Sequence, residues 1–188
     1  LIQHRGPDES GSFSKDCNTY SVAMGMQRLS IIDLDTGTQP IYSEDGMKVI
    51  VFNGEIYNYQ DLKMELQQSG VSFKTQTDTE VILKIYECLG ISGFEKLDGM
   101  FAFSIYDKLK DQIIIGRDFF GEKPLYYFKN ESELIWSSEL KSLKATIDHE
   151  LEISEHGMIL YFQLNYIPAP YTIYKEVEKL RPNHVLKI

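Results

Sequence analysis

The chain contains little cysteine, little histidine and no long apolar run. Its 188 residues include two cysteines and four histidines. So few cysteines are typical of a reducing compartment rather than of a disulfide-bonded secreted scaffold, and we predict a cytoplasmic protein. The histidines, at positions 4, 149, 156 and 184, show no metal-ligand spacing, so we predict no metal site. No apolar stretch approaches the roughly 20 residues that a membrane helix needs.

Positive charge is scarce as well. The chain carries 19 Lys and Arg against 28 Asp and Glu, a formal net charge of −9. A chain this acidic, without a basic run, repels phosphate backbones and anionic lipid. We therefore predict neither nucleic acid nor a membrane as a partner. The sequence also lacks a Gly-rich phosphate loop and a Ser-Gly-Gly run, so we expect no ATP site within these residues.

The order of the local patterns predicts one domain of the α+β class. Residues 20–26 and 47–53 have the apolar pattern of strands. A first helix is expected to begin at Asn58 or Asp61 and to end at Gly70, and a capping box at 77–80 predicts a second. Two hairpins (100–106 with 112–116, 125–128 with 133–136), a short helix over 154–162 and a strand over 185–188 follow. Strands grouped around a helix pair indicate largely antiparallel sheets.

Side chains suited to binding a small amino acid occur in separate segments. Arg28 offers a planar fork that matches a carboxylate. Glu55 and Asp78 can share an ammonium group, while Asn53 and the Gly54 amide can donate hydrogen bonds to an oxyanion. A ligand with a carboxylate, an ammonium and an amide carbonyl is glutamine or a close analogue. The predicted catalytic groups are Asn53 and Gly54.

Each of these residues also has an ordinary structural interpretation. Asp78 could be only a helix cap. Arg28 could form a surface ion pair with Asp33, and Asn53-Gly54 could be an ordinary turn. The set favours a shared site more than any single member does.

Seven motifs follow one another along the chain: His4–Asp8, Arg28–Asp33, Asn53–Asn58, Gly99–Phe103, Arg117–Tyr127, Ser137–Lys141 and Tyr166–Pro170. Together they resemble the class II glutamine amidotransferase domain of the asparagine synthetase B family. The resemblance implies an N-terminal-nucleophile hydrolase, an αββα sandwich of two antiparallel sheets, over residues 1–188 and truncated at both ends. It also implies that main-chain groups complete the pocket. The glutamine-binding set is then Arg28, Leu29, Ile31, Ile32, Asn53, Gly54, Glu55 and Asp78.

The nucleophile of this family, a cysteine at the mature N-terminus, has no counterpart here. Cys17 is internal and has no free α-amine. Cys88, near the end of a predicted helix, is expected to be a buried structural thiol. We therefore expect about 25 to 35 preceding residues, with a further strand and helix, and no glutamine hydrolysis by the chain as given.

The resemblance implies the glutaminase domain of an ATP-dependent asparagine synthase. In that family ammonia from glutamine amidates aspartate, and ATP and Mg²⁺ act in a separate synthetase domain. A homodimer of the full-length protein is one possible assembly. One alternative is an amidotransferase for another carboxylate or a sugar, and another is a glutamine-binding module without a nucleophile.

Overall fold

The computed structural model describes residues 1–6, 8–28 and 37–188, with Arg28 described by its backbone alone. The helices are α1 Tyr59–Gln68, α2 Asp78–Leu89, α3 Leu140–Thr146 and α4 Glu155–Leu164. The strands are β1 Glu9–Asp16, β2 Ser21–Arg28, β3 Ile41–Tyr42, β4 Lys48–Ile56, β5 Gly99–Asp107, β6 Gln112–Arg117, β7 Tyr126–Lys129, β8 Leu134–Ser137, β9 Val177–Lys179 and β10 Val185–Lys187. Short 3₁₀ segments cover Gln3–Arg5 and Ile91–Lys96. In the described ranges no helix is long and apolar enough to span a bilayer.

The paired strands are antiparallel and form three sheets among these residues. A hairpin joins β1 to β2, a five-stranded sheet has the order β10-β6-β5-β4-β3, and a three-stranded sheet has the order β8-β7-β9. The predicted α+β class with antiparallel sheets is therefore confirmed.

The five-stranded sheet is apolar on both faces, because its side chains alternate along each strand. On β4, Ile50 and Phe52 pack with α1 and α2 in one core cluster. Val49 and Val51 face the opposite way, where they pack with Phe13 and its neighbours on the β1-β2 hairpin. The helix pair and the hairpin thus cover opposite faces of the same sheet.

The three-stranded sheet adds to the layer that contains the hairpin. Tyr127 and Trp136 pack towards the five-stranded sheet. Phe128, next to Tyr127, points the other way and packs against Leu143 of α3. The layers are therefore helices, sheet, hairpin with small sheet, and helix. This is the predicted αββα order, with the second β layer in two separate pieces among the described residues.

Helix α2 begins where its sequence predicts. The Thr77 hydroxyl accepts a hydrogen bond from the Glu80 amide at 3.2 Å. In a capping box the Glu80 carboxylate would accept from the Thr77 amide. Here it accepts instead from the amides of Lys74 (2.9 Å) and Thr75 (2.6 Å). Glu80 therefore fixes the loop that leads into the helix rather than the helix cap itself.

Some predictions fail for identifiable reasons. The strand expected to end at Asn53 continues to Ile56, so Asn53-Gly54 is not a turn. Cys88 is exposed rather than buried, since it lies on the solvent side of the last turn of α2. The strand β1 was not predicted because Phe13 is its only buried residue, which leaves no apolar alternation to recognise.

Candidate functional site

A cavity of about 210 Å³ lies between the end of β2, the middle of β4 and the start of α2. This volume is below the range of roughly 300–1,000 Å³ typical of sites for drug-sized molecules, so it suits a small ligand. Four predicted residues line it together, although they come from distant positions: Asn53, Gly54, Glu55 and Asp78. The lining also contains Arg5, Met26, Gln27, Gly37, Gln39, Phe52, Thr77, Thr79, Met100 and Lys123.

Asn53, Gly54 and Glu55 are consecutive residues of β4, and they pair with Ala102, Phe101 and Met100 of β5. Within the described part of the chain, the Asn53 side-chain amide has no hydrogen-bond partner in the protein. Its N–H groups are therefore available to a ligand in the cavity. A rigid strand holds this donor in place, which suits a group that must stabilise developing charge.

Asp78 connects the start of α2 to the strand that carries this donor. Its Oδ2 accepts a hydrogen bond from the Ile56 amide at 3.1 Å, and its Oδ1 accepts from the Thr79 amide at 2.8 Å. The side chain is buried, so these bonds replace hydration that the carboxylate loses. Asp78 is thus more than a helix cap, because it fixes the distance between α2 and β4 at the cavity wall.

The Glu55 carboxylate acts on the pKa of Asp78, the other carboxylate of the cavity. Burial raises the pKa of Asp78 above its ordinary value, and the nearby Glu55 carboxylate adds to this effect. Hydrogen bonds from the amides of Ile56 and Thr79 act in the opposite direction but do not outweigh burial. A ligand ammonium group between the two carboxylates would offset the cost of burying ionised Asp78 and the repulsion between Asp78 and Glu55. The arrangement therefore favours a cationic group at this end of the cavity.

Gln39 is a lining residue that sequence reasoning missed. Its Oε1 accepts from the Phe52 amide at 2.7 Å, and its Nε2 donates to the Thr79 hydroxyl at 3.4 Å. It is buried and connects β4 to α2 through these two bonds. No local pattern identifies such a residue, since both partners are far from it in sequence.

Arg5 brings a guanidinium group to the cavity from the first segment of the chain. Its Nη1 lies 3.3 Å from Glu139 Oε1, which also contacts His4 Nε2 at 2.7 Å. Lys141 Nζ lies 3.1 Å from the other oxygen of Glu139. Burial alone would raise the pKa of Glu139, but hydrogen bonds from Lys141, His4 and Arg5 outweigh it and lower the pKa to about 2. Glu139 therefore stays ionised and holds Arg5 beside the cavity.

Lys123 reaches the cavity from the loop that follows β6. Its backbone amide donates to Asp118 Oδ2 at 2.9 Å. Its ammonium group forms no ion pair with any described residue, so it adds uncompensated positive charge to the lining. The cavity is thus lined by the cationic side chains of Arg5 and Lys123 as well as by the carboxylates of Glu55 and Asp78. This mixture of charges complements a zwitterion.

Four more predicted site residues lie at positions 28 to 32. Arg28 is the last residue of β2 and directly follows Gln27, which lines the cavity. Its backbone pairs with Glu9. Leu29, Ile31 and Ile32 lie outside the described residues, so their main-chain roles stay predictions.

Comparisons with known proteins agree with this geometry. A family model described as a glutamine amidotransferase domain matches residues 1–188. Asparagine synthetase [glutamine-hydrolyzing] 1 of Bacillus subtilis is 42% identical over 97% of the chain, which corresponds to 28% of that protein. Asparagine synthetase B [glutamine-hydrolyzing] of Escherichia coli is 42% identical over 76% of the chain and 25% of its own length. The chain therefore spans about a quarter of these two relatives.

A solved structure supports the fold independently. The glutamine phosphoribosylpyrophosphate amidotransferase of Bacillus subtilis superposes with a TM-score of 0.62 at 21% identity, over 81% of this chain and 40% of that one. The predicted amidotransferase fold is confirmed by this likeness. With the family match over its whole length, this chain belongs to the glutamine amidotransferase domain family, in the branch that resembles the glutamine-hydrolysing asparagine synthetases.

Proposed function

We propose that this domain binds glutamine and supplies its amide nitrogen as ammonia to an asparagine synthase that amidates aspartate. The observation that carries the proposal is the small cavity in which two carboxylates and cationic side chains meet an amide donor that no described residue pairs with. Glutamine presents a complementary set of groups: an amide carbonyl, an ammonium and a carboxylate. The family match and the asparagine synthetase relatives support the same assignment.

In the proposed complex each end of glutamine has its own partners. Glu55 and Asp78 bind the α-ammonium group, and Arg28 binds the α-carboxylate. The side-chain carbonyl faces Asn53 and Gly54. When a nucleophile adds to the amide carbon, the carbonyl oxygen becomes negative, and these donors stabilise it. Collapse of that intermediate breaks the C–N bond, and the nitrogen leaves as ammonia with the proton that the nucleophile gave up. Water then breaks the bond between the acyl group and the nucleophile, which yields glutamate and the free nucleophile.

The nucleophile for this reaction is proposed to lie outside the 188 residues. Cys17 lies in the turn between β1 and β2, and Cys88 lies on the exposed end of α2, so neither lines the cavity. A second cavity of about 990 Å³, between the hairpin and the five-stranded sheet, shares five lining residues with the first: Arg5, Met26, Gln27, Phe52 and Asn53. It offers space beside the oxyanion donors for a nucleophile-bearing segment.

The ligase half of the reaction is proposed to require a further domain. ATP and Mg²⁺ would act there, where aspartate would be activated. The two relatives are about four times as long as the region they share with this chain. This difference in length leaves room for such a domain in proteins of this type.

Arg28→Ala in the complete protein tests the carboxylate contact. Loss of a charge-assisted, two-pronged hydrogen bond should raise the glutamine concentration for half-maximal glutamate release about 100-fold. Synthesis of asparagine from added ammonia should be unchanged, because that route bypasses this pocket. Steady-state kinetics with each nitrogen donor measure both quantities.

Arg181→Ala is the matched control, since Arg181 is an exposed arginine in the segment before β10. It should leave both activities as in the unchanged protein. If Arg28→Ala lowered the glutamine-dependent and the ammonia-dependent activities equally, Arg28 would have no specific role in binding glutamine.

The raised pKa of Asp78 predicts an unusual pH dependence. The folded protein holds this proton more tightly than the unfolded chain, so the contribution of Asp78 to the unfolding free energy increases as pH falls through the raised pKa. Glutamine affinity should change in the opposite direction, because only ionised Asp78 attracts the ammonium group. The affinity should begin to fall at a pH above the ordinary value of 3.8 for Asp. Calorimetric titration at a series of pH values measures it.

Asp78→Asn provides the comparison for this experiment. It should bind glutamine more weakly at neutral pH and should lack the acidic decline that is due to this carboxylate. Circular dichroism at each pH checks that both proteins stay folded. Identical pH profiles for the two proteins would rule out a direct contact between Asp78 and the ammonium group.

Two alternatives give different results in the same assays. An amidotransferase with another acceptor would release glutamate from glutamine but would form no asparagine. A glutamine-binding module without a nucleophile would bind glutamine in the calorimeter and release no glutamate. The prediction that no metal binds these residues and the prediction of a cytoplasmic location both stay predictions.

A further inference from the structure

Residues 158–164 of helix α4 are apolar except for Gln163, and most of them lie in solvent. Its consecutive residues Met158 to Phe162 are all apolar, and Leu164 follows. Phe162 is 80% exposed, Ile159 53% and Tyr161 52%. Gly157 is the only residue of α4 that is buried. A helix segment that is apolar on nearly every side is normally covered, and the described residues do not cover this one.

The helix is attached to the rest of the domain by its first turn. The Ser154 hydroxyl accepts from the Gly157 amide at 3.0 Å, and the Ser154 amide donates to the Ile173 carbonyl at 2.8 Å. Gly157 lies so close to the Thr172 carbonyl that a Cβ would come within 2.3 Å of that oxygen. The later turns contribute no side chain to the four hydrophobic clusters of the described residues. Their apolar surface therefore projects away from the core.

The chain segment that contains most of the helix carries no charged side chain. Residues 157–174 contain no Asp, Glu, Lys or Arg, although a quarter of the whole chain is charged. Tyr166 and Tyr171 in this segment are also exposed. Depletion of charge together with enrichment in aromatic residues and Met is typical of the fully buried centre of a protein interface. Large apolar interfaces are characteristic of permanent rather than transient assemblies.

We propose that α4 and the adjoining uncharged segment form the docking surface for the synthetase part of the same protein. This inference rests on the proposed function, because it assigns the partner to the domain that consumes the ammonia. The two asparagine synthetase relatives devote about three quarters of their length to sequence beyond the region shared with this chain. A lipid surface is a poor occupant, since the segment offers no Lys or Arg to anionic headgroups.

The test uses the complete protein with Phe162→Glu, and Ile159→Glu as a second variant one turn earlier. Each places a charge in the proposed interface. Leu109→Glu is the matched control, because Leu109 is 68% exposed in the turn between β5 and β6. Hydrogen exchange of the amides at 158–166 reports docking directly. The ratio of asparagine formed to glutamate released reports whether ammonia reaches the acceptor.

In the unchanged protein and in Leu109→Glu, the amides at 158–166 should be protected. In the two α4 variants they should exchange about tenfold faster or more. Glutamate release should stay within about twofold of the unchanged protein, while asparagine formed per glutamate should fall about fivefold or more. Such a split cannot arise from general unfolding, which would lower both activities.

Three results would overturn the docking proposal. One is that the α4 variants show the same amide exchange rates and the same ratio of asparagine to glutamate as Leu109→Glu. Another is a change from dimer to monomer with an unaltered product ratio, which would assign the surface to a second copy. The third is a complete reading frame without a further domain. A protein that releases no glutamate would contradict the proposed function alone, because the exchange measurement would still decide the docking.

Discussion

Replacing Asp118 by alanine or asparagine is expected to lower the free energy of unfolding by about 3–5 kcal/mol. Asp118 follows β6 directly, and its side chain is completely buried. Oδ1 accepts from the amides of Phe120 (3.1 Å) and Glu122 (2.8 Å). Oδ2 accepts from the amides of Phe101 (3.2 Å) and Lys123 (2.9 Å). One carboxylate thus satisfies four backbone donors.

Asparagine should not rescue this position. It keeps one acceptor oxygen, but its NH₂ group would face two of the four backbone N–H groups without being able to accept from them. Because Lys123 and Met100 line the glutamine cavity next to this loop, weaker glutamine binding should accompany the lost stability. Urea unfolding and calorimetric titration measure the two effects.

Asp45→Asn is the control for Asp118→Asn. Asp45 is an exposed carboxylate that accepts from the Ser43 hydroxyl at 2.6 Å and from the Met47 amide at 2.9 Å. Water can replace those contacts, so its unfolding midpoint should change far less. Equal changes in midpoint for Asp45→Asn and Asp118→Asn would show that burial of the Asp118 carboxylate does not matter.

Gly54→Ala is expected to cost about 3 kcal/mol of stability and to abolish glutamine binding. Gly54 has a φ of +153°, and a Cβ there would lie 2.1 Å from the Met100 carbonyl oxygen and 2.7 Å from the Phe101 Cα. A Cβ on Gly99 of β5 would likewise lie 2.2 Å from the Glu55 carbonyl oxygen. The two glycines let β4 and β5 approach closely at the cavity. A methyl group would push the strands apart and displace the donors beside it.

Gly46→Ala separates the clash from backbone strain. Gly46 also has a positive φ, +68°, but a Cβ there would meet no atom within 4 Å. Its replacement should cost only the conformational penalty of roughly 1–2 kcal/mol and should leave glutamine binding unchanged. If both alanine variants lost the same stability and both still bound glutamine, the close approach of β4 and β5 would not shape the site.

Local sequence was sufficient for the elements whose signals lie within a few residues. The start of α2 depends on the Thr77 hydroxyl, which accepts from the backbone amide three positions later. The hairpin between β5 and β6 depends on a short polar turn between two apolar runs. Such contacts do not depend on how the rest of the chain folds. The prediction failed for β1, where burial of the single residue Phe13 depends on a sheet formed by later strands.

The functional groups divide in the same way. The chemistry of the amino acids present, an arginine fork, acidic side chains and an amide beside a glycine, was enough to indicate a glutamine-like ligand. It could not identify Gln39, Arg5 or Lys123 as lining residues, because each reaches the cavity through contacts far from its position in sequence. The sequence pattern also predicted a buried Cys88. This prediction was wrong because helical periodicity near a helix end does not define which side of the helix is covered.

The α+β class, the start of α2 and the kind of ligand can be predicted without a structure, because each follows from neighbouring residues or from side-chain chemistry. Three features required the folded chain: Asp78 bonds to Ile56, Asn53 lies within a strand, and the described residues leave the apolar surface of α4 uncovered. These features depend on which segments, distant along the chain, come to lie side by side. That proximity is a consequence of packing the whole domain, and no local pattern encodes it.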